Sequence, residues 1–466
     1  VSKLIAVCAA LGWFFTLIAD TGPAAELRVG AAAVELQADD SMPIAGGIHP
    51  GRVRGQEGKL RAVAIVLDKP GSAPLAIVSC DVLMLTRTQL DPVVAQIEKT
   101  CGTPASGVLI HATHTHHAPS TIRVHAYAGD ERFCDQVTKA IAQAVAEAKG
   151  RLAESVFHFK MGEEKTVGMN SRLQLKDGSI YWVGSRDDAV GPTGPFDPAL
   201  PVLAFRSPAG KPQALLFGHS THTIGALKPG VRSPGFYGLV AQQLEPEQGG
   251  VAAFLEGASG STHQLNLSAA EAFRRIQKAV LDALAAATPQ PVDRLAAVKR
   301  PFRFKLRTFD EAAEEKAVSD YCTKRIGPTA DPVVAVFRQM RKELAPQQGQ
   351  ERTTWLQAIR VGPVAIVGVP AELFTKLGLD IKRRSPFPQT VVVELANDWI
   401  GYVPDREAFK LGGYQVWTGL HSCVEPGTGE RIVDELGRML DELAAGTPRA
   451  ASGPAKRKLH YFSEDQ

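Results

Sequence analysis

Two hydrophobic rhythms alternate along the chain. Short runs rich in β-branched and aliphatic residues read as strands: "RAVAIVLDKPGSAPLAIVSCDVLML", as two joined by a Pro-Gly turn, then "GVLIHA", "QALLFGHST", "VGPVAIVGVPAE" and "TVVVELAND". Segments with helical spacing lie between them. "FCDQVTKAIAQAVAEAKG" sets Val137, Ile141 and Val145 on one stripe and offers Gly150 as a C-cap. "SAAEAFRRIQKAVLDALAAA" opens with Ser268 and Glu271 in a capping box and turns Phe273, Ile276, Val280 and Leu284 inward. The pattern predicts an α/β fold: a single large domain over residues 26–445, with mixed β-sheets flanked by helices and an active site at strand ends. There is no interdomain linker and no internal repeat. Residues 446–466, small and charged, predict a flexible tail. The basic and apolar alternation of "VKRPFRFKLRTF" predicts a half-exposed strand, with a peripheral contact to an anionic membrane surface as the alternative.

Composition narrows the class. With 44% hydrophobic and 22% charged residues among 466, the chain is an ordinary globular protein, and a net charge of +3 gives no footprint for nucleic acid. At the N-terminus, Lys3 precedes an uncharged run from Leu4 to Ala19 and small residues follow from Pro23 to Ala25. This predicts a secretory signal peptide over residues 1–25 and a secreted or periplasmic protein. An uncleaved anchor is the alternative, although the run is short for a membrane span. Removal of that segment leaves Cys80, Cys101, Cys134, Cys322 and Cys423, an odd and scattered set that predicts no disulfide framework. Cys80, inside an apolar strand, reads as a buried small hydrophobe.

The chemistry concentrates where strands end. "GVLIHATHTHHAPS" places His111, His114, His116 and His117 together, and an extended chain would point His114 and His116 to one side as half of a metal site. A polar loop is the alternative for that stretch alone. His219 and His222 end a second strand, a recurrence that core packing has no reason to produce. Glu372 follows an apolar strand, where an acid is costly unless paired or metal-bound, and Tyr402 lies just beyond another. His111 reads as a hydrogen-bonding support and His117 as the start of a turn. His49, His125, His158, His421 and His460 have no spaced partners and read as surface or packing.

In that order, "ATHTHHAP", "FGHSTHT", "VPAELF" and "ANDWIGYVPD" resemble the catalytic domain of the neutral (alkaline, non-lysosomal) ceramidases over most of residues 27–420. The resemblance implies a zinc hydrolase, an amidase of lipid metabolism, with Zn2+ held by His114, His222, Glu372 and Tyr402. It further implies Tyr414 as a hydrogen-bonding group in the pocket. Zinc-activated water would attack an amide or ester carbonyl, His116 would move protons, and Tyr414 or Arg172 would stabilise the oxyanion. The substrate class implied is a small or lipid-like molecule. Three departures stand out. The family's G-D-x-S segment is "LEGASGSTHQL" here, with His263 where the serine would stand, as a second proton carrier or a structural histidine. Its N-R-S segment is "MNSRL", which displaces Arg172 by one position. The C-terminal immunoglobulin-like domain has no counterpart in this sequence.

Two other readings stay open. An amidohydrolase or metallo-β-lactamase would continue as H-x-H-x-D-H, whereas "HTHHAP" has no aspartate. A non-catalytic, secreted metal- or ligand-binding protein derived from the same fold is favoured by the missing serine.

Overall fold

In the computed structural model, which describes residues 26–445, the strands assemble into three main sheets. The first has the spatial order Val108–Ala112, Leu75–Cys80, Arg61–Asp68, Arg28–Glu35 and Ala153–Glu154. The second runs Val251–Glu256, Pro212–His219, Ala199–Arg206, Val156–Glu163 and Thr288–Pro289. The third runs Leu295–Lys305, Glu351–Val361, Val364–Gly368 and Gln389–Val393. The predicted signal segment and tail lie outside the described residues.

Burial on both faces explains the consecutive apolar positions. In Arg61–Asp68, Val63, Ile65 and Leu67 enter a central core shared by all three sheets, with Phe157, Leu203, Ile359 and Ile366. The alternate residues Ala62, Ala64 and Val66 face the helices Arg87–Cys101 and Glu131–Gly150, meeting Ile97, Val137 and Ile141. Helices Gly235–Gln248 and Ala269–Ala285 cover the second sheet, and Thr375–Arg384 and Thr428–Ala445 the third. A helical pair, Glu311–Ile326 and Ala330–Leu344, packs instead over Trp182, Tyr414 and Trp417. The whole is a single large α/β domain.

Each sheet carries one parallel pair at an edge: Leu75–Cys80 with Val108–Ala112, Pro212–His219 with Val251–Glu256, and Val364–Gly368 with Gln389–Val393. These edges meet one another. Ser79 Oγ donates to the Phe254 carbonyl at 2.8 Å, Glu394 N–H to that of Glu256 at 2.9 Å, and Asn397 N–H to that of Ile110 at 2.7 Å. The loops after the parallel strands therefore gather around one junction, the place where open α/β sheets bind ligands.

Several local expectations are refined. Gly150 stays inside its helix, and Arg151 is the C-cap, its N–H reaching the carbonyls of Ala148 and Lys149. Of the capping box only one half forms: Ser268 accepts the Glu271 N–H at 3.2 Å, while the Glu271 carboxylate turns to Arg274 and Arg275, and Phe273 is only half-buried. The Leu295–Lys305 strand buries Phe302 and Phe304 and exposes Arg303 and Lys305, while Arg300 pairs with Glu435 and Glu442 of the last helix. Cys80 is buried, and no disulfide forms among the described residues. No described helix is long and apolar enough to cross a membrane.

Candidate metal centre

The first histidine pair is assembled by a turn. Extension stops at Ala112, and His114 adopts a left-handed backbone with φ 60°, uncommon for a residue with a side chain. Shared direction along a strand, the expected device, therefore does not bring His114 and His116 together. The turn does: their Nε2 atoms lie 3.2 Å apart and their rings meet edge-on. His222, beyond the Pro212–His219 strand, sets its ring centroid 4.5 Å from that of His114. One nitrogen from each of the three histidines lies within 4.8 Å of the other two.

Glu372 lies four residues beyond the Val364–Gly368 strand of the third sheet. Its Oε2 lies 3.5 Å from Nε2 of both His114 and His222, and Trp399 Nε1–H fixes its other oxygen at 3.1 Å. The Tyr402 hydroxyl is 3.2 Å from His222 Nε2. A short parallel pairing of Glu372–Leu373 with Tyr402–Val403 holds these two residues side by side. His114, His222, Glu372 and Tyr402 are all buried, whereas His116 is partly open to solvent.

Proton bookkeeping at the imidazoles shows what the cluster is suited to hold. His114 Nδ1 faces the Leu83 carbonyl at 3.1 Å, His116 Nδ1 that of Gly46 at 3.0 Å, and His222 Nδ1 that of Ser259 at 2.9 Å. A carbonyl only accepts, so each Nδ1 carries a proton, and a ring that holds no second proton turns its Nε2 lone pair inward. Burial, followed by the neighbouring imidazoles, pushes His114 and His116 well below the usual histidine range, which keeps them neutral. Burial opposes charge on Glu372, and what holds its carboxyl below the usual range is a hydrogen bond from His222, positive charge at His114 and His222, and the Tyr402 hydroxyl, a charge that neutral imidazoles lack and a bound cation would supply. Lone pairs facing each other beside a carboxylate repel unless a cation lies among them. Carbonyl-anchored imidazoles are also how proteins orient metal-bound histidines. This donor set fits a divalent metal ion.

The other predicted residues take distinct places. His263 lies against His222, ring centroids 4.3 Å apart, with its own Nε2 buried and unpartnered. Ser261 Oγ bonds Thr375, and Thr262 Oγ1 donates to the Ser220 carbonyl, so both hydroxyls of that segment are engaged. Tyr414 packs 5.8 Å from the Tyr402 ring and stacks on Trp182. Arg172 is almost wholly buried and reaches Gln415 Oε1 at 2.9 Å and the Gly412 carbonyl at 2.6 Å, so these donors serve the segment that carries Tyr414. His219 engages both nitrogens, one with the Tyr237 hydroxyl and the other with the Glu164 carbonyl. His117 accepts the Gly225 N–H.

Two histidines read as packing stand at this wall. His125 Nε2 is 3.2 Å from the Tyr414 hydroxyl, and His421 Nε2 contacts the Tyr414 carbonyl at 3.1 Å. Neither has a spaced partner in sequence, so the pattern of histidines could not reveal them. Trp399 was within reach of sequence reasoning, because it sits in the strand-end segment that carries Tyr402.

No protein-family model matches the sequence, and no curated protein matches it either. Solved structures do match by fold. The neutral ceramidase from Pseudomonas aeruginosa aligns with a TM-score of 0.70 at 17% identity, over 93% of this chain and 77% of that one. A structure described as ceramidase complexed with C2 gives the same values. The chain thus has a neutral ceramidase-like fold.

Proposed function

We propose that this protein is an exported, zinc-dependent hydrolase and that, as the ceramidase names of its structural neighbours suggest, it cleaves the amide bond of a lipid-like substrate. The observation that carries the reading is the convergence of inward-facing Nε2 lone pairs from His114, His116 and His222 on a site shared with Glu372 and Tyr402. Mixed nitrogen and oxygen donors of this kind suit zinc. When bound, zinc supplies Lewis acidity for a carbonyl and for a water molecule. His114, His222, Glu372 and Tyr402 would hold the ion. His116, partly open to solvent, accepts and returns the proton, with its Nδ1–H anchored on Gly46 so that only Nε2 takes part. Tyr414 presents its hydroxyl to the developing oxyanion, and Arg172 keeps the Tyr414 segment in place. His263, with a buried free Nε2, is a second proton carrier. Export rests on the N-terminal pattern alone.

The engaged hydroxyls of Ser261 and Thr262 favour the alternative of a non-catalytic metal- or ligand-binding protein. One experiment separates the two. The purified protein should contain one zinc per chain and release fatty acid from an N-acyl sphingoid lipid, with kcat at least about 100-fold lower in His116→Ala. Zinc bound with no turnover of lipid amides, short amides or esters would select the binding protein.

A further inference from the structure

Beneath the metal-binding side chains lie two fully buried acids, Glu256 and Glu394, at the junction of the second and third sheets. Glu394 Oε2 accepts the N–H of Ser259 at 3.1 Å and that of Leu373 at 2.8 Å, and its Oε1 accepts the Ser259 hydroxyl at 2.6 Å. Each partner matters for the site. Ser259 supplies the carbonyl that fixes the His222 tautomer, and Leu373 follows Glu372 directly. Thr223 Oγ1, 3.1 Å from Glu256 Oε2, also contacts the carbonyl of Thr113, the residue before His114. The acid pair thus touches the loops that carry His222 and Glu372 and reaches the one that carries His114 through Thr223.

Resting on the reading of this cluster as a metal site, we propose that Glu394 is its positioning residue: one carboxyl group clamps the Ser259 and Leu373 backbones together and so sets the spacing of His222 and Glu372 before the ion arrives. An acid is otherwise hard to explain here. Burying a carboxyl is costly, and an apolar residue of similar size would pack without that cost. What this side chain supplies, and an apolar one cannot, is acceptors for backbone N–H groups in the segments that follow strands of two different sheets. Ligand supports of this type typically contribute 10- to 100-fold to metal affinity.

The test is a zinc titration of the chelator-treated full chain, read as a dissociation constant, with thermal unfolding of the metal-free forms alongside. Glu394→Ala should weaken zinc binding about 10- to 100-fold. Glu394→Gln keeps an oxygen for the two N–H groups and an amide for the Ser259 hydroxyl, so it should stay within about threefold of wild type. If Glu394→Ala does not fold, Ser259→Ala carries the test, because it deletes one of the three donors and keeps the carbonyl that faces His222. A loss of at least about threefold supports the clamp. Unchanged affinity in whichever of the two alanine variants folds overturns it, as does a Gln variant as weak as the Ala variant. Wild-type protein that binds no zinc would instead remove the metal reading itself.

Discussion

At the scale of single residues, the four ligands expected from sequence stand out for one reason. His114, His222, Glu372 and Tyr402 each follow an apolar strand, and a polar group at such a place is costly without a partner. What supports them is invisible in the same text. The Leu83, Gly46 and Ser259 carbonyls that fix the imidazole tautomers are backbone atoms, and a backbone atom leaves no signature in residue type. Buried histidines also make a prediction of their own. Burial holds His111 down at about 4, so between the ordinary histidine value of about 6.5 and that point the unfolded chain takes a proton which the folded chain refuses. Stability contributed by neutral His111 is therefore complete above pH 6.5 and lost as pH falls toward 4. Denaturant titrations of metal-free protein across that window should show stability dropping, and His111→Gln should flatten the slope by up to about 1.4 kcal/mol per pH unit. Parallel slopes for the two proteins would rule out His111 as a source of the acid sensitivity.

At the scale of elements, strands and helices were legible because each keeps one period over its length. The strand Arg61–Asp68, apolar on both faces, and the helix Glu131–Gly150, with its stripe of Val137, Ile141 and Val145, satisfy local rules and tertiary burial at once. The turn at His114 did not follow from such rules, because a left-handed histidine is imposed by what its ring must reach. The Arg172 contacts were equally unreadable, since they join residues far apart in the chain. They still allow a prediction. Arg172→Met leaves the Gly412 carbonyl and Gln415 without their buried donor and should destabilise the protein by about 2–4 kcal/mol in chemical unfolding. Arg172→Lys should recover little, because an ammonium cannot reproduce the guanidinium's divided reach. Should Arg172→Met instead keep wild-type stability while activity falls, the guanidinium acts on substrate rather than on its own loop.

At the scale of the whole molecule, the α/β class could be read from sequence, but the three-sheet plan could not. Which strands neighbour one another depends on long-range pairings such as Glu394 with Glu256 and Asn397 with Ile110, and no local pattern encodes them. Because His114, His222 and Glu372 follow strands of three different sheets, a metal bound among them would tie those sheets together. Scanning calorimetry should show one unfolding transition that moves down on chelation and returns with zinc. At a free concentration about 100 times the dissociation constant, the restored stability should be about 2.7 kcal/mol. A midpoint indifferent to chelation would mean that no ion bridges the sheets. The same meeting of edges has a temporal side. A chain still emerging from synthesis, with its last sheet unfinished, offers only part of the donor set and cannot retain the ion tightly. If the cluster binds an ion, its acquisition would record that assembly has finished.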